Sequence, residues 1–434
     1  MKHSSLLCVA FVLLGMSACA RYERVSLTSS IDHVQPMTGL VLSPRHEALT
    51  TYQDAIALED FGWGPNRVVI GKEGDAILYN WAPLDSMLDA IAARKHQAVL
   101  RWRYEYPGNH DTPIEGATGV PQYIKDLPDY NEPFYRNPNF DGGDTYYADW
   151  TNKELQWFTM QFYTDFAARY GNDPRLAFLE VGFGHWGEYH IYATPLQMGV
   201  NFPSKEYQTQ FLHHMAKVMP MPWAISIDAA DAQYTPIVAD AQLMALPFGL
   251  FDDSFMHEGH ELSSGVGDNE TNWNAIGGEH WKTSVYGGEV SYYTHKDQYE
   301  FLNPAGLYGV TWEEAIAKYH ITFMMANDAP GEYGTVERFN EAGIAAGYSF
   351  RVLDCQTNGR KTKVTITNEG VAPIYYDAYM AIGDIQSQQS LKGLLPKDTI
   401  EVTISAGLED GTELSIACQR LVPGQEIQFN ADIQ

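Results

Sequence analysis

From Met37 to about Gly347, eight short apolar runs alternate with stretches of helical periodicity. The runs are Thr38–Leu42, Ala76–Tyr79, Ala98–Tyr104, Leu176–Gly182, Trp223–Ile227, Pro247–Leu250, Ser284–Gly287 and Ile321–Met325. Parallel strands need a crossover between each pair, usually a helix, so this alternation predicts a parallel α/β sheet. Eight strands close such a sheet into a (β/α)8 barrel, assigned here to residues 37–347. Two of the helices are legible: Leu84–Lys95 repeats apolar residues at Leu84, Leu88 and Ile91, and Lys153–Tyr170 repeats them at Leu155, Phe158, Phe162 and Phe166.

Two connections exceed the minimal pattern. Residues 108–150 follow the third strand and carry Tyr123, Tyr130, Phe134, Tyr135, Phe140, Tyr146 and Tyr147, an aromatic load unlike that of a disordered loop. Residues 259–281, rich in Gly and Asn, lie between the sixth and seventh strands. In a barrel of this kind both rise from the C-terminal face, where active sites sit. Beyond residue 347 only strand-like runs remain, separated by Asn-Gly, Asp-Gly and Pro-Gly turns, which predicts a small antiparallel β-sandwich over 348–434.

The N-terminus reads as a processing signal: Lys2, an apolar run from Leu6 to Leu14, then Gly-Met-Ser-Ala before Cys19. Small residues before a cysteine resemble the bacterial lipobox. The expectation is a signal peptide at 1–18, a lipid anchor to a membrane at Cys19, a tether over 19–36, and a place in the bacterial cell envelope; plain secretion is the alternative. With Cys8 and Cys19 so used, Cys355 and Cys418 are left either to pair or to stay as two buried thiols. A charge of −27, from 28 basic and 55 acidic residues, argues against nucleic acid as a partner. Ten Trp and 27 Tyr suit a protein that grips flat polar ligands such as sugars.

Chemistry concentrates after two strands. The fourth ends in Glu180-Val-Gly-Phe-Gly-His185-Trp186-Gly-Glu188-Tyr-His190, and the seventh in Tyr286-Gly-Gly-Glu289. Carboxylates at these two strand ends can share the barrel mouth, the minimum apparatus for cleaving a glycosidic bond. Arg101 and Arg103, two apart on the third strand, face one side, either to hold these acids or substrate anions or to pair with Glu105 or Glu180. Asp228 after the fifth strand, and Asp252, Asp253 and His257 after the sixth, lie on the same rim. Trp186 offers a stacking face, and His185, His190 and Tyr286 complete the candidate substrate contacts. No ligand spacing supports a metal site at His190, Asp252 and His257, and no cofactor is expected.

The barrel, Trp186-Gly187-Glu188 and Gly288-Glu289 together resemble glycoside hydrolase clan A. With Pro36-Met37-Thr38-Gly39 and the trailing sandwich, the chain is more closely similar to a bacterial barrel family known only as a domain of unknown function. The clan resemblance implies a TIM barrel, Glu188 as acid/base, Glu289 as nucleophile, and a polysaccharide or oligosaccharide substrate. Clan members typically carry Asn just before the acid/base. Gly187 stands there instead, so either another residue contacts the sugar 2-hydroxyl or the register of catalysis differs. A surface glycan-binding protein without catalysis is the alternative, and a lyase for acidic polysaccharides the third.

Overall fold

The computed structural model describes residues 21–107, 118–136, 144–192, 194–265, 267–326, 331–408 and 412–434. The expected signal segment, with Cys8 and Cys19, and Phe140 of the first long connection lie outside them. No helix among the described residues is long and apolar enough to cross a membrane.

Eight parallel strands form a closed barrel: β1 (Gly39–Leu42), β2 (Leu58–Trp63), β3 (Gln97–Trp102), β4 (Leu176–Val181), β5 (Trp223–Ser226), β6 (Phe248–Phe255), β7 (Tyr286–Val290) and β8 (Phe323–Met325). Seven occupy the expected runs; the second does not. Ala76–Tyr79 pairs antiparallel with Val69–Glu73 in a hairpin outside the barrel, and β2 takes its place. The sequence of β2, Leu-Glu-Asp-Phe-Gly-Trp, hides its nature because two acids fill its middle. Both are accommodated by strand alternation. Glu59 turns outward, where Arg94 and His96 reach its carboxylate at 2.6 and 2.7 Å, and Asp60 turns into the lumen.

Helix α1 (Ala82–Ala93) buries Leu84, Leu88 and Ile91, and α2 (Lys153–Tyr170) buries its Leu155, Phe158, Phe162 and Phe166 stripe. The side chain of Asn152 accepts from the Leu155 amide at 3.0 Å, one of the first-turn donors that has no partner inside the helix.

The C-terminal strands form two sheets. One holds Thr399–Ile404, Thr362–Asn368, Phe350–Thr357 and Phe429–Ile433, and the other Ile385–Gln386, Ala378–Ile382 and Leu414–Cys418. Phe350–Thr357 and Phe429–Ile433 run parallel, a departure from the wholly antiparallel expectation. The segment expected as a tether also contributes strands: Leu27–Ser29 pairs with Phe429–Ile433, and Glu23–Arg24 with Phe350–Thr357. Cys355 and Cys418 sit on different sheets as free thiols, which excludes the disulfide.

This unit docks on the N-terminal ends of the barrel strands. Arg420 donates to the Leu176 carbonyl at 2.6 Å, Tyr376 to the Ala177 carbonyl, and Gln97 to the Arg420 carbonyl at 2.6 Å. The Tyr376 ring continues the stack of Phe178 on Phe323, whose centroids lie 5.6 Å apart inside the barrel. The bottom is therefore plugged, and the opposite end is left free to hold a site.

Candidate functional site

Strand alternation decides which side chains reach the lumen. On β3 the inward set contains Arg101, buried at 3% exposure, with Arg103 two residues further on. Neighbouring β4 places Glu180 in register with Arg101, whose Nε donates to Glu180 Oε2 at 2.6 Å. Asp253 on β6 accepts from Nη2 at 3.0 Å and also from Nη1. Glu289 Oε1 on β7 lies 3.9 Å from Nη2, and the Phe251 ring lies 4.3 Å from the guanidinium carbon. One buried cation thus ties together three carboxylates from three strands.

Removing that cation strands the carboxylates, and breaking a buried charge pair from one side costs about 3–5 kcal/mol. Arg101→Met is therefore expected to lose that much unfolding free energy in denaturant titration. A change under about 1 kcal/mol, the ordinary worth of an exposed pair, would show the cluster to be solvated instead.

Beyond β4 the chain reverses tightly. The Phe183 and Gly184 amides both donate to the Glu188 carbonyl, at 3.2 and 2.7 Å. Gly187 takes a left-handed φ of +85°, and a Cβ on Gly182 would collide with the Gly187 carbonyl. This fold-back sets Glu188 on the wall of a cavity of about 1090 Å³ that also holds Asp60, Arg101, Arg103, Asp228, Asp253 and Glu289. Its size is just above the ordinary ligand-pocket range of about 300–1,000 Å³.

Burial pushes the Glu188 carboxyl well above the usual range, and the Asp253 and Asp228 charges push it the same way against the pull of Arg101. Glu188 shares a hydrogen bond with Asp228. Burial would raise Asp228 as well, but hydrogen bonds from His190, Ser226 and Glu188 and the His190 charge bring it down to about 2. The His190 Nδ1 to Asp228 Oδ2 distance is 2.9 Å, and Tyr192 stacks on the imidazole at 3.9 Å. The two carboxyls are thus pushed in opposite directions, Glu188 towards its protonated form and Asp228 towards its charged one. Glu188, His190 and Asp228 could also chelate a cation, since ligand atoms from all three lie within 4.8 Å of one another. This is a different trio from the one considered in the sequence, because Asp252 faces away.

Of the candidate residues, Glu188, Glu289, Arg101, Arg103, Trp186, His190, Asp228, Asp252 and His257 border the cavity, and His185 and Tyr286 do not. His185 is fully buried, bonded to the Tyr147 hydroxyl at 3.1 Å and pushed down to about 3, chiefly by burial. Tyr286 lies three residues before Glu289 and so on the opposite face of β7, packed on Trp273 with its hydroxyl on the Gly277 carbonyl. Asp252 is likewise turned outward, next to inward Asp253. Its oxygens are taken by His260, Asn269 and Trp273 at 2.9–3.2 Å, which anchors the connection 259–281. His185 and Tyr286 thus lie off the cavity, and the Asp252 carboxylate is held by the connection it anchors. His257 accepts from the Gly259 amide at 2.8 Å, which fixes its own loop.

The exposed aromatics bordering the cavity are Tyr192, Tyr292 and Tyr293, the last 70% exposed. None of the described residues of 108–150 does so; there Tyr147 is buried and Phe134 and Tyr135 sit on a short antiparallel pair. Asp60, like Tyr192, Tyr292 and Tyr293, is absent from the sequence reading. Its signal was the gap between the first strand and Gln97, within which Ala55-Ile-Ala-Leu58 and Phe61-Gly-Trp63 flank the two acids.

No family model matches the chain, and no curated protein matches it. Among solved structures it is similar to the catalytic domain of a β-amylase from Paenibacillus polymyxa. The TM-score is 0.43 at 10% identity, over 71% of this chain and 99% of that one. It is also similar to a β-galactosidase from the Antarctic haloarchaeon Halorubrum lacusprofundi, with a TM-score of 0.37 at 9% identity over 71% of this chain and 57% of that one. The chain thus spans less than two thirds of the β-galactosidase, and the likeness to both is one of fold.

Proposed function

We propose that the protein is a glycoside hydrolase in which Glu188 is the general acid and Glu289 the second carboxylate. The observation that carries this reading is that the buried Glu188, its carboxyl pushed upward by burial, lines the same cavity that places Glu289 beside Arg101. In the reaction Glu188 gives its proton to the glycosidic oxygen as the bond from that oxygen to the anomeric carbon breaks. Glu289 either attacks that carbon or takes a proton from the water that does. The net change is one water consumed and one new reducing end. Asp228, charged and held by His190, accepts the Glu188 hydrogen bond and so orients the acid. Trp186 and the exposed tyrosines offer faces for the sugar rings. The proposal includes export, a division into a barrel over 37–347 and a smaller unit over 348–434, and a lipid anchor at Cys19.

A panel of soluble polysaccharides and oligosaccharides incubated with the full-length protein tests this reading through reducing-end release. New ends from at least one glycan are expected. Binding without cleavage throughout would replace the hydrolase with a glycan-capturing protein, the reading that Gly187 in place of Asn favours. An unsaturated product absorbing in the ultraviolet would replace it with a lyase.

A further inference from the structure

We propose that Asp60 is the specificity-determining residue of this cavity, a hydrogen-bond acceptor for the hydroxyls of a neutral sugar that also turns uronate and sulfated units away. The inference rests on the hydrolase reading for the kind of ligand, but not for its geometry.

Asp60 sits midway along β2, inward by the same alternation that sends Glu59 to Arg94. It borders the cavity yet is only 8% exposed. Among the described residues no side chain or amide donates a hydrogen bond to its carboxyl, which interacts instead through charge with Arg101, Glu289, Asp253 and Arg103. With no donor from the protein, its oxygens face the space that a ligand would fill. Burial, reinforced by Glu289 and Asp253, raises it to about 7, so near neutral pH donors from a ligand would stabilise its charged form.

The surrounding charges decide which donors fit. Arg101 is committed to Glu180 and Asp253. Arg103 lies where a Gly62 side chain would be, since a Cβ there would come within 2.6 Å of its guanidinium carbon, and it stacks 4.2 Å from the Tyr106 ring. The remaining polar wall carries one further cation, Arg45, against a larger set of carboxyls: Asp60, Glu188, Asp228, Asp253 and Glu289. A hydroxyl can donate to such a wall. A carboxylate or sulfate on the sugar would meet like charges in a desolvated space.

Affinity measured by calorimetry on the full-length protein tests this without relying on turnover. The probes are a neutral oligosaccharide cleaved or bound in the panel and its counterpart oxidised to the uronate at C6. The wild type is expected to bind the neutral ligand at least about 10-fold more tightly. Asp60→Asn, of the same size, is expected to weaken neutral binding about 10- to 100-fold, the worth of hydrogen bonds to a charged acceptor, and to narrow the gap between the two ligands. A merely structural residue would change both affinities alike. Equal binding by wild type and variant, preference of the wild type for the uronate, or no binding of either probe would overturn the inference. Binding that follows the expected pattern without reducing ends would leave Asp60 in place and remove the hydrolase. Reducing ends with an indifferent Asp60→Asn would do the reverse.

Discussion

Glu289→Gln is expected to lower kcat/KM on the cleaved glycan by about 10⁴-fold or more, the top of the range for one positioned acid–base group. Glutamine keeps the shape but cannot attack an anomeric carbon or take a proton from water. The side chain is 21% exposed and its 3.9 Å contact is the longest of the three that Arg101 makes, with Glu180 and Asp253 still holding the guanidinium, so the fold should survive. Stopped turnover with an unchanged unfolding curve and retained glycan binding would mark a chemical role. Full turnover would take Glu289 out of the reaction, and the two-carboxylate proposal with it.

The second large effect concerns the proton. Glu188→Gln is expected to lower kcat/KM by about 10²–10⁴-fold on a natural glycan, whose leaving oxygen needs protonation, and by less than about 10-fold on a dinitrophenyl glycoside, whose leaving group does not. A loss of equal size on both substrates would show that the variant had damaged the site rather than removed an acid. The comparison separates Glu188 from Glu289, since a missing nucleophile or base is felt by both substrates.

Much of the architecture could be read from the chain because it is written in local periodicity. Lys153–Tyr170 has the same limits in the sequence reading and in the structure, since its apolar stripe is a local signal. What escaped depends on partners remote in sequence. The acids of β2 are tolerated only because Arg94, His96 and the lumen receive them, and Glu23–Arg24 and Leu27–Ser29 become strands only by pairing with chain more than 300 residues away.

At the cavity, the positions of Glu188 and Glu289 are legible from Gly-rich strand ends, where a tight exit and a carboxylate coincide. Position just past a strand points to Asp252 and Asp253 alike, whereas parity along a strand separates them, as it assigns 287 and 289 of β7 to one face and 286 and 288 to the other. The same rule applied to β6 selects Asp253 over Asp252. His185 could not be placed this way, because the chain reverses immediately after β4 and alternation ends there.

The most direct test of the account is the pH profile of kcat/KM for wild type and Glu188→Gln on one glycan, with more of the variant used to follow its residual turnover. An acid that must be protonated loses activity as pH rises through its pKa, and burial has moved that pKa well above the ordinary carboxyl range. The wild type should therefore show a basic limb, and Glu188→Gln, which has no proton to lose there, should show none. A limb of the same position and depth in the variant would mean that another group supplies the proton, and would contradict the assignment of Glu188 as the acid.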